Sequence, residues 1–267
     1  MELQASPVKQ AAQAAGIEVL QPAKARAEEF HEQIRALAPD VAVVVAYGKI
    51  LPAALLEIPR KGFVNVHFSL LPAYRGAAPV QHAITDGRME TGISIMVLTE
   101  GMDEGPILAE ERVPIHPEDT AASLGERMAE IGARLLLPAL QDYVDGGLQP
   151  VEQDHERATY APKLDTDDAR IEWSESSERI RNLARGLNPA PGAWTMMGDA
   201  RIKVYGAEVV SDAGLKPGEL GVSGDKLLVG TGDGALALTE VQMAGKKRMG
   251  GAELGRGLRL AGGEMLQ

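Results

Sequence analysis

Three polar side chains suited to acyl transfer follow apolar segments in the first half of the chain. Asn65 and His67 lie two residues apart at the end of the apolar segment 62–67, so their side chains leave the same face of a predicted strand. Asp103 follows the next apolar segment. An amide, an imidazole and a carboxylate that meet at one place can stabilise an oxyanion and move a proton. This set therefore predicts transfer of an acyl group onto an amine.

Each of these residues, taken alone, also has a structural explanation. A histidine near a strand end is more often a buried structural residue than a catalytic one, and asparagine and aspartate are common in turns. The convergence of three strand ends favours catalysis, because a doubly wound sheet binds ligands at the carboxyl ends of its strands. The five histidines lack metal-ligand spacing, so we predict no metal site.

Two further segments flank this set. Tyr47 and Gly48 follow another apolar run. The loop 69–79 places Leu70 and Leu71 among polar turn residues. Exposed leucines in a loop indicate either a ligand that covers them or a plug tucked into the protein's own core.

The order of the elements predicts two domains. In residues 1–147, apolar runs alternate with helical segments, which predicts an α/β domain on a Rossmann-like, doubly wound and mainly parallel sheet. Residues 148–164 are polar and irregular and are predicted to form a linker. Residues 165–267 contain short strands separated by glycine-rich turns, which predicts a small OB-like antiparallel β-barrel.

Composition restricts the class of protein. The chain of 267 residues is 45% hydrophobic, has no cysteine and carries a formal net charge of −11. The lack of cysteine excludes disulfides and fits a reducing cytoplasm, and no apolar run approaches the roughly 18 residues of a membrane span. The acidic charge argues against bulk electrostatic binding of nucleic acid. The triplet Lys246, Lys247 and Arg248 nevertheless offers a local site for an anionic partner.

The sequence resembles the folate-dependent formyltransferases over almost its whole length. In the first half the resemblance rests on residues 43–48, 65–67, 69–72, 75–79 and 103–106. In the second half it rests on residues 159–164, 188–194 and 244–249. The first half alone would identify only the superfamily, whereas the C-terminal segments resemble the branch that formylates methionyl initiator tRNA for translation initiation.

The resemblance implies a reaction and a role for each matching residue. The α-amino group of methionyl-tRNA attacks the formyl carbon of the co-substrate 10-formyltetrahydrofolate, and Asn65, His67 and Asp103 match the catalytic trio. Asp103 either accepts a proton or holds His67 in its charged form, and the sequence leaves both roles open. The implied folate contacts are Tyr47, Gly48, Ser69, Leu70, Leu71 and Pro72. The implied tRNA contacts are Lys246, Lys247 and Arg248.

The sequence departs from the family pattern at two places. Family members open with a strand, a glycine-containing loop and a basic insertion, and this chain starts about where that insertion ends. We therefore expect domain 1–147 to be truncated at its start, with an exposed sheet edge. Phe68 stands where the family commonly has glycine, which is expected to narrow the approach of the folate. Nothing in the sequence demands more than a monomer.

Three alternative functions share parts of this pattern. A sugar-nucleotide N-formyltransferase has the same trio but is expected to lack the Lys246 and Lys247 signature. A formyltetrahydrofolate hydrolase also has the trio and needs no tRNA-binding barrel. A non-catalytic remnant that binds folate or RNA fits the missing start but not the intact trio.

Overall fold

The computed structural model describes residues 5–48, 51–211, 213–258, 260 and 262–267. Within these ranges an α/β domain is followed by a domain dominated by antiparallel strands. No helix in this part of the chain combines the length and apolar character needed to cross a bilayer.

The first domain is built on a four-stranded sheet with the strand order β1-β2-β3-β4. Its strands are β1 (Ala42–Val44), β2 (Phe63–His67), β3 (Glu90–Val97) and β4 (Ile107–Pro114). Its helices are α1 (Pro7–Ala14), α2 (Glu28–Leu37), α3 (Ala53–Leu56), α4 (Pro79–Thr85) and α5 (Ala121–Asp145).

The sheet is mixed, which refines the predicted topology. The α/β class is confirmed, but β1 and β2 form the only parallel pair among the described strands, and β2, β3 and β4 run antiparallel to one another. Strand β3 is buried on both faces along most of its length. A strand covered on both faces reads as one apolar run in either direction, so its pattern could not reveal its orientation.

Strand β1 is more exposed than its apolar sequence predicts. It occupies one end of the strand order, and within the described residues no strand pairs with its outer edge. Val43 is 42% exposed, so this strand is not covered on both faces, although a continuous apolar run is typical of a strand that is.

Helix α5 covers the sheet beneath the candidate site, and both of its ends are capped. Thr120 and Ser123 form a reciprocal capping box, and Gly146 ends the helix in the left-handed conformation at a φ of 82°. Gly132 lets the helix approach β2, because a Cβ there would lie only 2.9 Å from the Val66 side chain.

The predicted linker is an integral part of the first domain. We call residues 151–162 the strap. The strap pairs Val151 with Ile107 through two backbone hydrogen bonds of 2.8 Å, and further along Thr159 and Ala161 bond the backbone of Arg75. A short 3₁₀ helix, His155–Arg157, lies between these contacts. The strap is therefore held against the loops that follow β2 and β3.

The second domain is an antiparallel barrel, in agreement with the sequence. It contains α6 (Ser177–Gly186), β5 (Ala193–Met197), β6 (Ala200–Val210), β7 (Leu220–Ser223), β8 (Lys226–Gly230), β9 (Ala235–Met243), β10 (Met249–Gly250) and α7 (Gly251–Leu258). The strand order is β5-β6-β9-β8-β7, with β10 beside β9. At the C-terminus, Met265 bridges Glu219 and Gln267 bonds the backbone of Met196. These contacts link the β7 end of the sheet to β5.

Helix α6 joins the barrel to the first domain. Gly186 faces α4 so closely that a Cβ would lie 2.7 Å from the Thr85 methyl group. Arg185 donates to the carbonyl oxygens of His116 and Asp119 at 3.0 and 3.2 Å, just before α5 begins. Burial lowers the pKa of the Arg185 guanidinium. Hydrogen bonds from this partly buried guanidinium to backbone carbonyl oxygens thus connect the two domains.

Candidate active site

The predicted trio meets at one cleft. Asn65 and His67 lie on β2, Asp103 lies in the loop between β3 and β4, and all three line a cavity of about 560 Å³. His67 is 5% exposed, and its Nδ1 lies 3.6 Å from Asp103 Oδ2. The structure therefore brings together the amide, imidazole and carboxylate that the sequence singled out.

The Tyr74 carbonyl selects which nitrogen of His67 is available for chemistry. His67 Nε2 lies 3.0 Å from this oxygen. A carbonyl oxygen can only accept, so Nε2 must carry a hydrogen and Nδ1 is the nitrogen that gains or loses a proton. Burial holds the pKa of His67 below its ordinary value, and the nearby Asp103 charge and the Tyr74 carbonyl oppose this shift only in part. These opposed effects suit an imidazole that changes its charge during a reaction.

Asp103 is held in a constrained conformation. Its φ of 51° lies in the left-handed region, which non-glycine residues seldom adopt. The Gly76 N–H donates to its Oδ2 at 2.8 Å. The carboxylate is thus anchored by the loop after β2 while its own backbone belongs to the loop after β3.

The rest of the cleft is mostly apolar. Tyr47 and Gly48 line it beside the trio. Phe68 is also part of the wall, beside the trio. Other apolar contributions come from Val44, Val45, Leu51, Leu56, Pro79, Val80, Leu98 and Met102. Such a cavity, with a few convergent polar groups, has the size and character of a small-molecule site.

The segment 69–72 does not line this cleft, and its predicted contact with the folate stays a prediction. Ser69 is buried and its hydroxyl donates to the Ala73 carbonyl at 2.6 Å. Leu71 is also buried, and its N–H donates to Ser94 Oγ at 3.0 Å. Instead, a second cavity of about 560 Å³ is lined by Leu70, Leu71, Pro72, Ala73, Glu110, Arg112 and Arg157. The burial of Leu71 supports the alternative of a plug in the protein's own core.

The basic triplet lies on the barrel, in the turn between β9 and β10. All three side chains are exposed. Arg248 stacks over the Tyr205 ring at 3.4 Å from its centroid and pairs with Glu240 at 3.2 Å. Lys246 and Lys247 form no ion pair with any described residue, so their charges face solvent. None of the three lines the catalytic cleft.

Sequence reasoning missed the residues that orient the trio. Tyr74 contributes a backbone carbonyl, which any residue type could supply. Gln153 lies in a polar stretch of the strap yet is buried, and it hydrogen-bonds the loop of Asp103. Only the RGAAP segment that begins at Arg75 carried a signal here, since it was part of the family resemblance.

Solved structures share this fold. A methionyl-tRNA formyltransferase from Clostridium thermocellum superposes with a TM-score of 0.56 and 21% identity, covering 67% of this chain and 77% of that one. An N-formyltransferase from Helicobacter canadensis, solved with folinic acid and dTDP-3-aminofucose, gives a TM-score of 0.66 and 18% identity, covering 86% and 82%. At these identities the likeness concerns the fold alone.

Sequence comparison is more specific. The family profile described as formyl transferase matches residues 1–140, and that of the formyl transferase C-terminal domain matches residues 163–259. The methionyl-tRNA formyltransferase of Streptomyces griseus is 48% identical over 99% of this chain and 86% of its own length. That of Acidithiobacillus ferrooxidans is 46% identical over 99% of this chain and 85% of its own. The chain belongs to the formyl transferase family.

Proposed function

We propose that this protein transfers the formyl group of 10-formyltetrahydrofolate to the α-amino group of methionyl initiator tRNA. The observation that carries the proposal is the meeting of Asn65, His67 and Asp103 at one mostly apolar cleft. The 48% identity to a methionyl-tRNA formyltransferase over nearly the whole chain supports the choice of substrate. The proposed working form is a cytoplasmic monomer.

Asn65 and His67 are the proposed oxyanion donors. The folate supplies a formyl carbon, and attack by the amine on that carbon leaves negative charge on the formyl oxygen. The Asn65 amide and the protonated Nδ1 of His67 donate hydrogen bonds to this oxygen. Loss of one such donor typically costs about 2.7–4 kcal/mol of transition-state stabilisation.

His67 and Asp103 are the proposed residues for proton transfer. Free α-amino groups titrate near pH 7.7–8.0, so a useful neutral fraction of the attacking amine exists at about pH 7. After attack the nitrogen must lose one further proton. Asp103 either accepts it, directly or through water, or favours the charged form of His67 while water takes the proton. His67 Nδ1–H can supply the proton that the leaving folate nitrogen takes up when its bond to the formyl carbon breaks. Because Nε2 keeps its hydrogen bond to the Tyr74 carbonyl, the imidazole ring can transfer this proton without rotating.

The two substrates approach from different parts of the molecule in this proposal. The cleft wall at Tyr47, Gly48 and Phe68 holds the flat ring system of the folate. Lys246 and Lys247 on the barrel attract the phosphate backbone of the tRNA, since clustered lysines bind nucleic acid chiefly through phosphates. The net charge of −11 confines this attraction to the local patch.

A formylation assay tests the proposal and separates it from its alternatives. The protein is incubated with 10-formyltetrahydrofolate and one acceptor at a time: methionyl initiator tRNA, a dTDP-amino sugar or water alone. We expect formylmethionyl-tRNA, and a His67→Asn variant should lose this product. Formylation of the sugar alone, release of formate alone, or no reaction with any acceptor would contradict the proposal.

A further inference from the structure

Gln153 is a buried amide on the strap that connects both loops of the catalytic cleft. It is 6% exposed. Its Nε2 donates to the carbonyl oxygens of Asp103 and Gly105 at 2.9 and 2.7 Å. Its Oε1 accepts from Arg75 Nε at 3.1 Å and from Arg75 Nη2 at 2.7 Å. These four hydrogen bonds use both N–H donors and both acceptor lone pairs of the amide.

The orientation of the amide follows from its neighbours. Backbone carbonyls only accept hydrogen bonds and a guanidinium only donates them, so the nitrogen must face Asp103 and Gly105 while the oxygen faces Arg75. A flipped amide would lose all four bonds. The amide of Gln153 thus has a single satisfactory orientation.

Arg75, the partner of Gln153, links it to the loop that anchors the Asp103 carboxylate. Arg75 is 2% exposed, and among the described residues no carboxylate forms an ion pair with its guanidinium. Besides Gln153, it contacts His155 Nδ1 at 3.2 Å. The next residue, Gly76, is the one whose N–H donates to Asp103 Oδ2 at 2.8 Å. Gln153 consequently ties the peptide that holds the carboxylate to the loop that carries it.

Asp103 needs such support. Its left-handed backbone conformation persists only where the surroundings enforce it. Its distance of 3.6 Å to His67 depends on both loops keeping their places.

We propose that Gln153 is a positioning residue for Asp103, which holds loops 74–76 and 101–105 together so that the carboxylate stays beside His67. Gln153 itself does not line the cleft. The geometric part of this proposal is independent of the substrate, and its consequence for turnover rests on the proposed function.

Two substitutions separate positioning from folding. Gln153→Glu keeps an oxygen that accepts from Arg75 and places a carboxylate beside that buried charge. It removes both N–H donors, so a carboxylate oxygen would face the carbonyl oxygens of Asp103 and Gly105, which repel it. Gln153→Met has similar length without any polar atom and leaves the net charge unchanged. The matched control is Gln149→Glu, because Gln149 is exposed and also donates to one backbone carbonyl, that of Gly146.

The first readout is the NMR titration of the His67 ring, assigned by its absence in His67→Asn. Asp103 is the charged group that acts on His67, and its carboxylate raises the pKa of the ring. In Gln153→Met we expect the titration midpoint to move to lower pH, in the same direction as in Asp103→Asn. A midpoint equal to that of the unaltered protein would overturn the proposal.

The second readout is turnover at saturating folate and methionyl-tRNA. Misplacement of a catalytic group by about 1 Å can cost about 10²-fold in rate, so both Gln153 variants should lose kcat by about this factor with KM unchanged. Gln149→Glu should match the unaltered protein. Normal kcat in a folded Gln153→Glu protein would overturn the proposal. If the unaltered protein formylates no tRNA, the proposed function fails while the His67 titration still decides the positioning role.

Discussion

The charge of Asp103 is predicted to favour the protonated form of His67 against the effect of burial, and Asp103→Asn tests this most directly. The substitution keeps an oxygen that can accept from the Gly76 N–H, so it removes the charge without removing the anchor. The carboxylate lies 3.6 Å from His67 Nδ1. Two unit charges at about 4 Å interact by about 4 kcal/mol at an effective dielectric constant near 20.

This interaction sets the sign of the expected effect. The loss of the carboxylate charge removes the attraction that raises the pKa of His67, so that pKa should fall in Asp103→Asn. The burial of His67 already lowers that pKa, and Asp103 opposes the shift. Without Asp103 the imidazolium should therefore persist only in more acidic solution.

The assay is single-turnover formylation with both substrates saturating, followed from about pH 5 to pH 9, a range that brackets the ordinary His pKa of about 6.5. At neutral pH we expect a loss of about 10²–10⁴-fold, the usual value of general acid–base help. The loss should shrink as the pH falls, because His67 regains its proton. Asp142→Asn, an exposed carboxylate on α5, is the control and should behave normally.

Two results would refute this reasoning. Near-normal turnover of Asp103→Asn would show that neither the charge nor a proton-accepting role is needed. A large loss that is the same at every pH would show that Asp103 acts as the base itself instead of holding His67 charged.

Three further predictions address the oxyanion donor, the tRNA contact and the packing of α5. Asn65→Ala should lower kcat by about 10²–10³-fold and leave KM for methionyl-tRNA unchanged. A rise in KM by the same factor, with normal kcat, would contradict its role as a donor. Lys246→Ala and Lys247→Ala should each raise KM for tRNA and leave kcat normal. Each should also reduce the slope of log binding constant against log salt concentration by about one. An unaltered slope would place the tRNA elsewhere. Gly132→Ala should destabilise the protein by about 1–3 kcal/mol in thermal unfolding, because its Cβ would meet a β2 side chain at 2.9 Å. Gly125→Ala on the same helix has open space and should cost nothing.

Local pattern determined the order of elements and the trio. Asn65 and His67 share a face because strand side chains alternate with a period of two, which holds in any tertiary context. Thr120 and Gly146 marked the ends of α5 because capping depends on a few adjacent residues. The sequence pattern did not predict helix α7, because its sequence GAELGRGL contains three glycines. The helix is stabilised by the burial of Leu254 against the barrel.

Only the tertiary structure decided how the trio is oriented. The Tyr74 carbonyl that sets the His67 tautomer has no signature in side-chain chemistry. Gln153 and Asp103 are 50 residues apart in sequence, and a glutamine in a polar stretch gives no sign that it will be buried. The burial of Leu71 against the core, away from the catalytic cleft, likewise depends on how its loop closes over Ser94. Sequence periodicity therefore revealed which groups can react, whereas contacts between distant segments determine which atoms face each other.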